Sequence, residues 1–228
     1  MNKKIFITGC AKSGTTLLLR MCFAFKDTEV LYRKGAEGHE LEFNEFVDYK
    51  SDNKFVIGKR HPPAIFSTLW NRSFDYQVAK IIGRDIGIIN VIRDGRDVVL
   101  SDGNYVKPSR WINCMDQRNI DYLKNLISLE VSYEDLVRDP NSIQKKIEDR
   151  FGIKSNEDFS NYPDYVEDWV FDWNVSVLAR AGKGNEKKYG KRKVSDVSIG
   201  KDLNAYKTIC SQEELPLFEQ HLKELGYT

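Results

Sequence analysis

The sequence predicts an α/β protein with a central, mostly parallel sheet flanked by helices. Short apolar segments with the length of strands alternate with segments that have the length and pattern of helices. The clearest strand is Ile86–Ile92 (IGIINVI), which is apolar almost throughout, as is typical of a strand buried on both faces. This alternation favours a parallel sheet, because the crossovers between parallel strands usually carry a helix across one face.

Each predicted element follows from a local pattern. Lys3–Thr8 is a short apolar run that predicts the first strand, and residues 15–25 contain no helix breaker and predict a helix. Ser211 and Glu214 have the spacing of a capping box at the start of a helix over residues 211–225. The other predicted elements are strands over residues 55–58 and 126–131, a helix beginning near Gly95, a helix over 142–151 stopped by Gly152, a helical aromatic segment over 164–181, and a loop over 182–201.

Length and charge predict one domain spanning residues 1–228, without extended charged surfaces. The chain has 228 residues, of which 41% are hydrophobic and 30% charged, values that are ordinary for a globular protein. The 35 basic and 34 acidic residues give a net charge of +1. This balance argues against electrostatic binding of nucleic acid or of a membrane surface.

The cysteines and the amino terminus predict a cytoplasmic protein. Cys10, Cys22, Cys114 and Cys210 have no CxxC spacing, which argues against a zinc site and is consistent with reduced thiols. The apolar run over residues 5–7 is too short for a secretory signal. No segment approaches the roughly 20 apolar residues that span a membrane.

The segment GCAKSGTT, residues 9–16, lies between the first predicted strand and the following helix. Glycines near both ends allow a tight turn in which successive N–H groups face one anion, and Lys12 adds a positive charge. The hydroxyls of Thr15 and Thr16 and the amino end of the helix add further hydrogen-bond donors. The segment therefore predicts a site for a phosphate or a phosphosulfate, the alternative being a plain turn with a solvated lysine.

This segment differs from the Walker A loop of ATP- and GTP-binding proteins. In a Walker A loop the lysine follows the second glycine, whereas Lys12 precedes Gly14. The magnesium-organising aspartate that accompanies a Walker A loop also has no convincing counterpart, and Asp94 comes nearest to one. We therefore expect an anion site that functions without a metal.

A second charged segment, RDGRDVVLS, follows the strand Ile86–Ile92 and occupies residues 93–101. An arginine at a strand end and a hydroxyl from the next helical turns can converge on one phosphate. The alternative interpretation is a surface turn in which Arg93 and Arg96 pair with Asp94 and Asp97. Two shorter motifs accompany it: YEDL at residues 133–136, and SIGK at 198–201 with a terminal LGY.

Taken together, these motifs resemble the sulfotransferases that use 3′-phosphoadenosine 5′-phosphosulfate (PAPS). The resemblance extends from Lys3 to Tyr227 and implies a P-loop-NTPase-like three-layer sandwich. It implies that Arg93 and Ser101, eight positions apart, hold the 3′-phosphate and that Tyr133 lies near the adenine. The residues that it implies for binding the nucleotide are Lys12, Ser13, Gly14, Thr15, Thr16, Arg93, Ser101, Tyr133, Lys193 and Lys201.

The chain departs from the family pattern in two places. Soluble animal members often have a tryptophan after the two threonines, where this sequence has Leu17. The RKG triplet of the family has no clear counterpart, although KRK at residues 191–193 lies near the expected position. These departures concern the adenine pocket and the closing loop over the nucleotide.

The resemblance also implies the catalytic groups. GKRHP at residues 58–62 is similar to the family's KTHxP segment, which makes Lys59 an aid to the transferring group and His61 the general base. Lys12 would neutralise charge on the leaving phosphate. Some family members use a glutamate, so Glu42 or Glu45 is the alternative base, and His61 could equally be a plain loop residue. His39 and His221 do not follow strand ends and have less support.

The expected function is transfer of the sulfuryl group of PAPS to a hydroxyl or amine of a small-molecule or carbohydrate acceptor, without a metal. The alternatives are a nucleotide-dependent kinase and a non-catalytic nucleotide-binding protein. The aromatic segment containing Tyr162, Tyr165, Trp169, Phe171 and Trp173 is interpreted as core in preference to an acceptor pocket. The lysines of residues 183–193 leave two interpretations open, a solvated loop and a clamp that binds the nucleotide or attracts an acidic acceptor.

Overall fold

The computed structural model describes residues 2–32, 43–60, 86–101, 106–119, 124–171 and 205–227. The predicted positions His61, Lys193, Lys201 and Glu42 lie outside these residues, as does the whole of the predicted loop over 182–201. The strands are β1 (Lys3–Thr8), β2 (Thr28–Val30), β3 (Phe55–Lys59), β4 (Ile86–Ile92) and β5 (Leu129–Ser132). The helices are α1 (Thr15–Met21), α2 (Phe43–Asp48), α3 (Gly95–Val99), α4 (Pro108–Asn119), α5 (Tyr133–Arg138), α6 (Pro140–Phe151) and α7 (Glu214–Glu224).

The strands form one five-stranded sheet in the order β2-β3-β1-β4-β5. Every neighbouring pair in this sheet is parallel, and β1 lies in the centre, where Ile5 aligns with Ile57 of β3 and with Gly87 of β4. The predicted parallel sheet is therefore confirmed. Because all five strands run in one direction, their carboxyl ends meet at the same edge of the sheet.

Alternate residues of the strands supply separate cores on the two faces of the sheet. Ile5 and Ile7 of β1 are fully buried on one face, beneath α1 and α6, whereas Phe6 is buried on the other face against Phe46 of α2. A third apolar cluster forms where α3 and α4 meet α7, and in it the rings of Trp111 and Phe218 lie 4.7 Å apart. This cluster fixes the carboxyl-terminal helix next to the element that follows β4.

The aromatic segment differs in part from the predicted helix over residues 164–181. Within the described range, which ends at Phe171, residues 164–168 form turns and a bend without a helix, and only residues 169–171 are helical. The turns are closed by bonds between residues three apart, such as Val166 N–H to the carbonyl of Pro163. The spacing resembles that of a helix because the buried side chains of Tyr162, Val166 and Val170 lie four residues apart. Tyr162 and Phe171 lie in the main core, which confirms the core interpretation for them.

Element boundaries also shift by a few residues. Helix α1 ends at Met21 and continues as a tighter 3-10 turn over Cys22–Ala24, and β5 lies at Leu129–Ser132 instead of residues 126–131. Glu214 and Ser211 form the two predicted reciprocal bonds, with each backbone N–H donating to the partner's side chain. Helix α7 nevertheless begins at Glu214, with Glu213 and not Ser211 in the N-cap position. In the described part of the chain, no helix has the length and apolar character required to cross a membrane.

Candidate functional site

The polar residues singled out in the sequence cluster where the strands end. The loop over residues 9–14 follows β1, Lys59 is the last residue of β3, Arg93 follows β4, and Tyr133 follows β5. In open parallel sheets, ligands bind outside the carboxyl ends of the strands, where the following loops diverge. The candidate site is therefore built from four neighbouring strand ends.

The loop after β1 has the backbone conformation of an anion-binding turn. Lys12 has a φ of 71° and Gly14 a φ of 93°, so left-handed residues occur at alternate positions. The Ser13 N–H closes the turn by donating to the carbonyl of Cys10 over 3.0 Å. Left-handed residues within a short loop turn successive N–H groups towards one side, where they form a concave nest for an anion.

Close packing also requires the two glycines of the loop. A Cβ on Gly9 would lie 2.4 Å from the Val91 carbonyl oxygen, and a Cβ on Gly14 would lie 2.3 Å from the ring of Tyr133. Both glycines have positive φ values, of 151° and 93°. The loop can therefore approach β4 and α5 only where side chains are absent.

Lys59 places a buried positive charge beside this loop. Its side chain is 0% exposed, and its Nζ donates to Thr16 Oγ1 over 3.0 Å, in the first turn of α1. Ser13 and Thr15 are each 1% exposed, so the polar groups at the start of α1 are also nearly enclosed. Burying an ammonium group is costly unless polar or charged groups face it, and the Thr16 hydroxyl is one such group.

Arg93 connects the end of β4 to the loop after β1. Its Nη1 donates to the Lys12 carbonyl over 3.0 Å, and its Nη2 lies 3.5 Å from Asp97 Oδ2. The guanidinium carbon lies 4.2 Å from the centre of the Tyr133 ring, and the side chain is 13% exposed. Within the described residues, Arg93 Nε is buried and has no hydrogen-bond partner. The guanidinium is thus held in place against the loop.

The ion pairs considered for the segment over residues 93–101 are present in the structure, but they are mostly buried. Arg96 Nη2 lies 2.7 Å from Asp94 Oδ2, with both side chains at most 13% exposed. Asp94 also accepts from the Arg96 backbone N–H, which caps α3. The hydrogen bond with Asp94 raises the pKa of Arg96. Arg96 and Asp94 therefore fix the turn that carries Arg93, which a surface pair would not do.

Ser101 lies just beyond the opposite end of the same short helix from Arg93. Its hydroxyl donates to the carbonyl of Val98 over 2.7 Å, which leaves the oxygen lone pairs available to accept. Helix α3, at Gly95–Val99, is the spacer between the two residues. The joint 3′-phosphate role of Arg93 and Ser101 stays a prediction.

Tyr133 is packed into the site. Its ring is 4% exposed and covers both Gly14 and the Arg93 guanidinium. Burial raises the pKa of its hydroxyl, which therefore remains neutral at ordinary pH. Ser132 fixes the start of α5 by accepting from the Asp135 N–H. The adenine contact predicted for Tyr133 stays a prediction.

Cys10 occupies the loop without adding negative charge. Its thiol is hydrogen-bonded with Cys114 of α4, and this bond together with burial raises the pKa of Cys10 well above the usual range for a thiol. A neutral thiol does not repel an anion held by the same loop, whereas a thiolate would do so.

The remaining candidate groups lie elsewhere. His221 is 4% exposed, and its ring nitrogens lie 2.8 Å from Asp116 Oδ1 and 3.0 Å from Glu224 Oε2, so it links α7 to α4. Glu45 is exposed on α2. Over the ranges that the structure describes, no three or more His, Cys, Asp or Glu side chains gather in a metal-binding group.

Two solved structures share this fold over nearly their whole lengths. A sulfotransferase domain from the curacin biosynthetic pathway has a TM-score of 0.59 and 15% sequence identity, covering 100% of this chain and 99% of that domain. The sulfotransferase domain of the Synechococcus PCC 7002 olefin synthase has a TM-score of 0.56 and 16% identity, covering 96% and 94%. No protein-family model matches the sequence, and no curated protein matches it. The chain therefore has the sulfotransferase fold.

We predict that Gly14→Ala removes anion binding at the loop. The new Cβ would collide with the Tyr133 ring at 2.3 Å, at a φ of 93° that alanine rarely adopts. Calorimetric titration with adenosine 3′,5′-bisphosphate should show affinity reduced at least about tenfold.

Gly152→Ala is the matched control, because Gly152 has a φ of 68° and its added Cβ would meet nothing within 4 Å. This variant should lose about 1 kcal/mol of stability and keep its affinity for the bisphosphate. Equal affinity of the Gly14→Ala variant and the wild type would contradict the assignment of the loop.

Proposed function

We propose that this chain is a PAPS-dependent sulfotransferase. The observation that carries the proposal is the Arg93 guanidinium bonded to the carbonyl of Lys12, within a left-handed loop that has the buried Lys59 beside it. This arrangement brings three cationic residues, Lys12, Lys59 and Arg93, together at one edge of the sheet. A co-substrate with phosphates at two positions of its ribose matches such a spread of positive charge better than a single phosphate does.

The nucleotide would be held at both of its anionic ends. The 5′-phosphosulfate would lie against the loop, where Lys12, Ser13, Gly14, Thr15 and Thr16 would bind it. The 3′-phosphate would lie at α3, with Arg93 as one donor and with the Ser101 hydroxyl as a second once it turns from the Val98 carbonyl to the phosphate. The adenine would lie near Tyr133. Lys193 and Lys201 are further proposed contacts from outside the described residues.

The proposed reaction breaks the bond between sulfur and the bridging oxygen of PAPS and forms one between sulfur and the acceptor oxygen or nitrogen. The acceptor loses a proton to a base, and the products are a sulfated acceptor and adenosine 3′,5′-bisphosphate. In-line transfer of this kind depends mainly on positioning and charge stabilisation. Lys12 would stabilise charge on the departing phosphate, and Lys59 would stabilise the transferring sulfuryl group.

The general base is proposed to be His61, two residues beyond the end of β3. A neutral imidazole suits this task because its usual pKa, about 6.5, lies near neutrality. Glu42 and Glu45 are the alternative bases, of which Glu45 lies exposed on α2. The first described residue before His61 is Arg60, whose N–H donates to the carbonyl of Ile7 in β1, so the chain leaves β3 alongside the loop.

The acceptor is proposed to be a hydroxyl or amine of a small molecule or carbohydrate. Both similar solved domains are described as sulfotransferases, which supports sulfuryl transfer as the reaction class.

The four cysteines are all unpaired thiols, which supports a reducing, cytoplasmic location.

We predict that the purified protein binds adenosine 3′,5′-bisphosphate tightly in calorimetric titration and ATP with magnesium only weakly. Lys12→Ala and Arg93→Ala should each weaken binding of the bisphosphate by about tenfold or more, because each removes a charge-assisted contact. Lys145→Ala is the matched control: its ammonium pairs with Asp149 on α6, where the side chain is 68% exposed. The Lys145→Ala variant should bind the bisphosphate with the affinity of the wild type.

Two outcomes would contradict the proposal. Clear binding of magnesium-ATP without binding of the bisphosphate would favour the kinase alternative. Tight bisphosphate binding, with no transfer of the sulfuryl group of PAPS to any acceptor tested or to water, would favour a non-catalytic binding protein.

We predict that turnover falls towards acidic pH, because a protonated His61 cannot accept a proton. The measurement is sulfate release from PAPS to water across pH. His61→Ala should lower the rate about 10²-fold or more and flatten this acidic limb. Glu45→Gln is the control and should keep both the rate and the limb. An unchanged profile in His61→Ala, with the rate lost in Glu45→Gln, would transfer the role of base to Glu45.

A further inference from the structure

The last described residue, Tyr227, is directed back into the protein by the way α7 ends. Gly226 has a φ of 80° and donates its N–H to the carbonyl of Lys223, while the Tyr227 N–H donates to the carbonyl of Leu222 over 2.8 Å. These two bonds form a Schellman motif, in which a left-handed glycine reverses the chain after a helix. The terminal LGY sequence therefore has a defined geometry that aims the tyrosine side chain.

The hydroxyl of Tyr227 reaches Glu134 in the first turn of α5. It donates to Glu134 Oε2 over 3.0 Å, and the Ser132 hydroxyl donates to the same oxygen over 3.0 Å. The other oxygen, Oε1, accepts from the backbone N–H of Asp94 over 3.1 Å. One carboxylate thus joins the carboxyl terminus, the end of β5 and the turn after β4.

The contact with Asp94 places Glu134 next to the proposed 3′-phosphate site. Asp94 directly follows Arg93, so the bond to its N–H fixes the backbone from which the Arg93 side chain extends. Tyr133, the residue before Glu134, supports the guanidinium of Arg93 with its ring at 4.2 Å. The first turn of α5 therefore holds both the backbone and the side chain of the Arg93 region.

The hydrogen bond of Tyr227 persists across ordinary pH. Burial and the neighbouring Glu134 carboxylate raise the pKa of the Tyr227 hydroxyl, which therefore remains protonated and continues to donate. A hydrogen bond to a charged carboxylate is also among the stronger hydrogen bonds in proteins.

We propose that Tyr227 is a positioning residue which, through Glu134, sets the preference of the site for nucleotides that carry a 3′-phosphate. This inference rests on the proposed function, because it assigns the region of Arg93 to that phosphate. Tyr227 does not touch the nucleotide. It restrains Glu134, and Glu134 restrains the backbone of the turn that presents Arg93.

If Tyr227 had a purely structural role, its substitution would change the nucleotide affinities in a different way. A cap that only stabilises α7 would, when removed, lower stability and weaken every nucleotide equally. A positioning role weakens adenosine 3′,5′-bisphosphate selectively and leaves adenosine 5′-monophosphate, which lacks the 3′-phosphate, unaffected. The ratio of the two affinities separates these roles, because overall loss of folded protein cancels from it.

The experiment measures the dissociation constants of both nucleotides for the full chain and for the variants Tyr227→Phe and Glu134→Gln. The matched control is Tyr49→Phe, because Tyr49 and Ser51 donate their hydroxyls to Glu29 as Tyr227 and Ser132 do to Glu134. Glu29 lies in β2, at the opposite edge of the sheet. Thermal unfolding of each variant establishes that it is folded.

We expect Tyr227→Phe to weaken the bisphosphate about tenfold and the monophosphate less than about twofold. Glu134→Gln should do the same, and the double variant should bind like Glu134→Gln alone, because the hydroxyl acts through this carboxylate. Tyr49→Phe should change neither constant.

The remaining outcomes distinguish failure of this inference from failure of the proposed function. A wild-type preference for the bisphosphate that survives unchanged in Tyr227→Phe, or equal weakening of both nucleotides, would overturn the inference and leave the proposed function intact. A wild type without any preference for the bisphosphate would overturn both.

Discussion

The hydrogen bond from the Arg93 guanidinium to the carbonyl of Lys12 is the interaction on which the rest of the site depends. It joins the loop after β1 to the turn after β4, two strands that lie side by side at the centre of the sheet. Lys12 is in the left-handed conformation, and its carbonyl accepts the bond from the guanidinium. The bond therefore holds the left-handed loop and the turn after β4 together, with the guanidinium against the loop.

Charge placement around this bond is consistent with anion binding. Lys59 is fully buried beside the first turn of α1, and Cys10 is kept as a neutral thiol by its bond with Cys114 and by burial. Asp97 lies 3.5 Å from Arg93 and balances part of its charge, which lowers the cost of burying the guanidinium. A preorganised set of buried cations interacts strongly with an anion because water is excluded from it. Bringing these cations together costs free energy when the chain folds, so this cost does not reduce the affinity for an anion.

The sequence predicted the parts of the fold that depend on local patterns. The bounds of β1 and β4 agree with the structure, because a continuous apolar run marks a strand buried on both faces. Strand β2 was missed, since three half-buried residues carry no readable pattern. The burial of Lys59 and the contact of Tyr227 with Glu134 were also beyond sequence analysis. Both depend on residues 43 and 93 positions apart, which only the folded chain brings together.

The most direct test of the account is a crystal structure of the protein with adenosine 3′,5′-bisphosphate. We expect the 5′-phosphate against the N–H groups of residue 12 and of residues 14–16, near Lys59 Nζ, and the 3′-phosphate within hydrogen-bond distance of Arg93 and Ser101. The bond from Arg93 to the Lys12 carbonyl should persist, because the guanidinium has further N–H groups for the phosphate. A nucleotide bound away from this edge, or a 3′-phosphate that contacts neither Arg93 nor Ser101, would contradict the account.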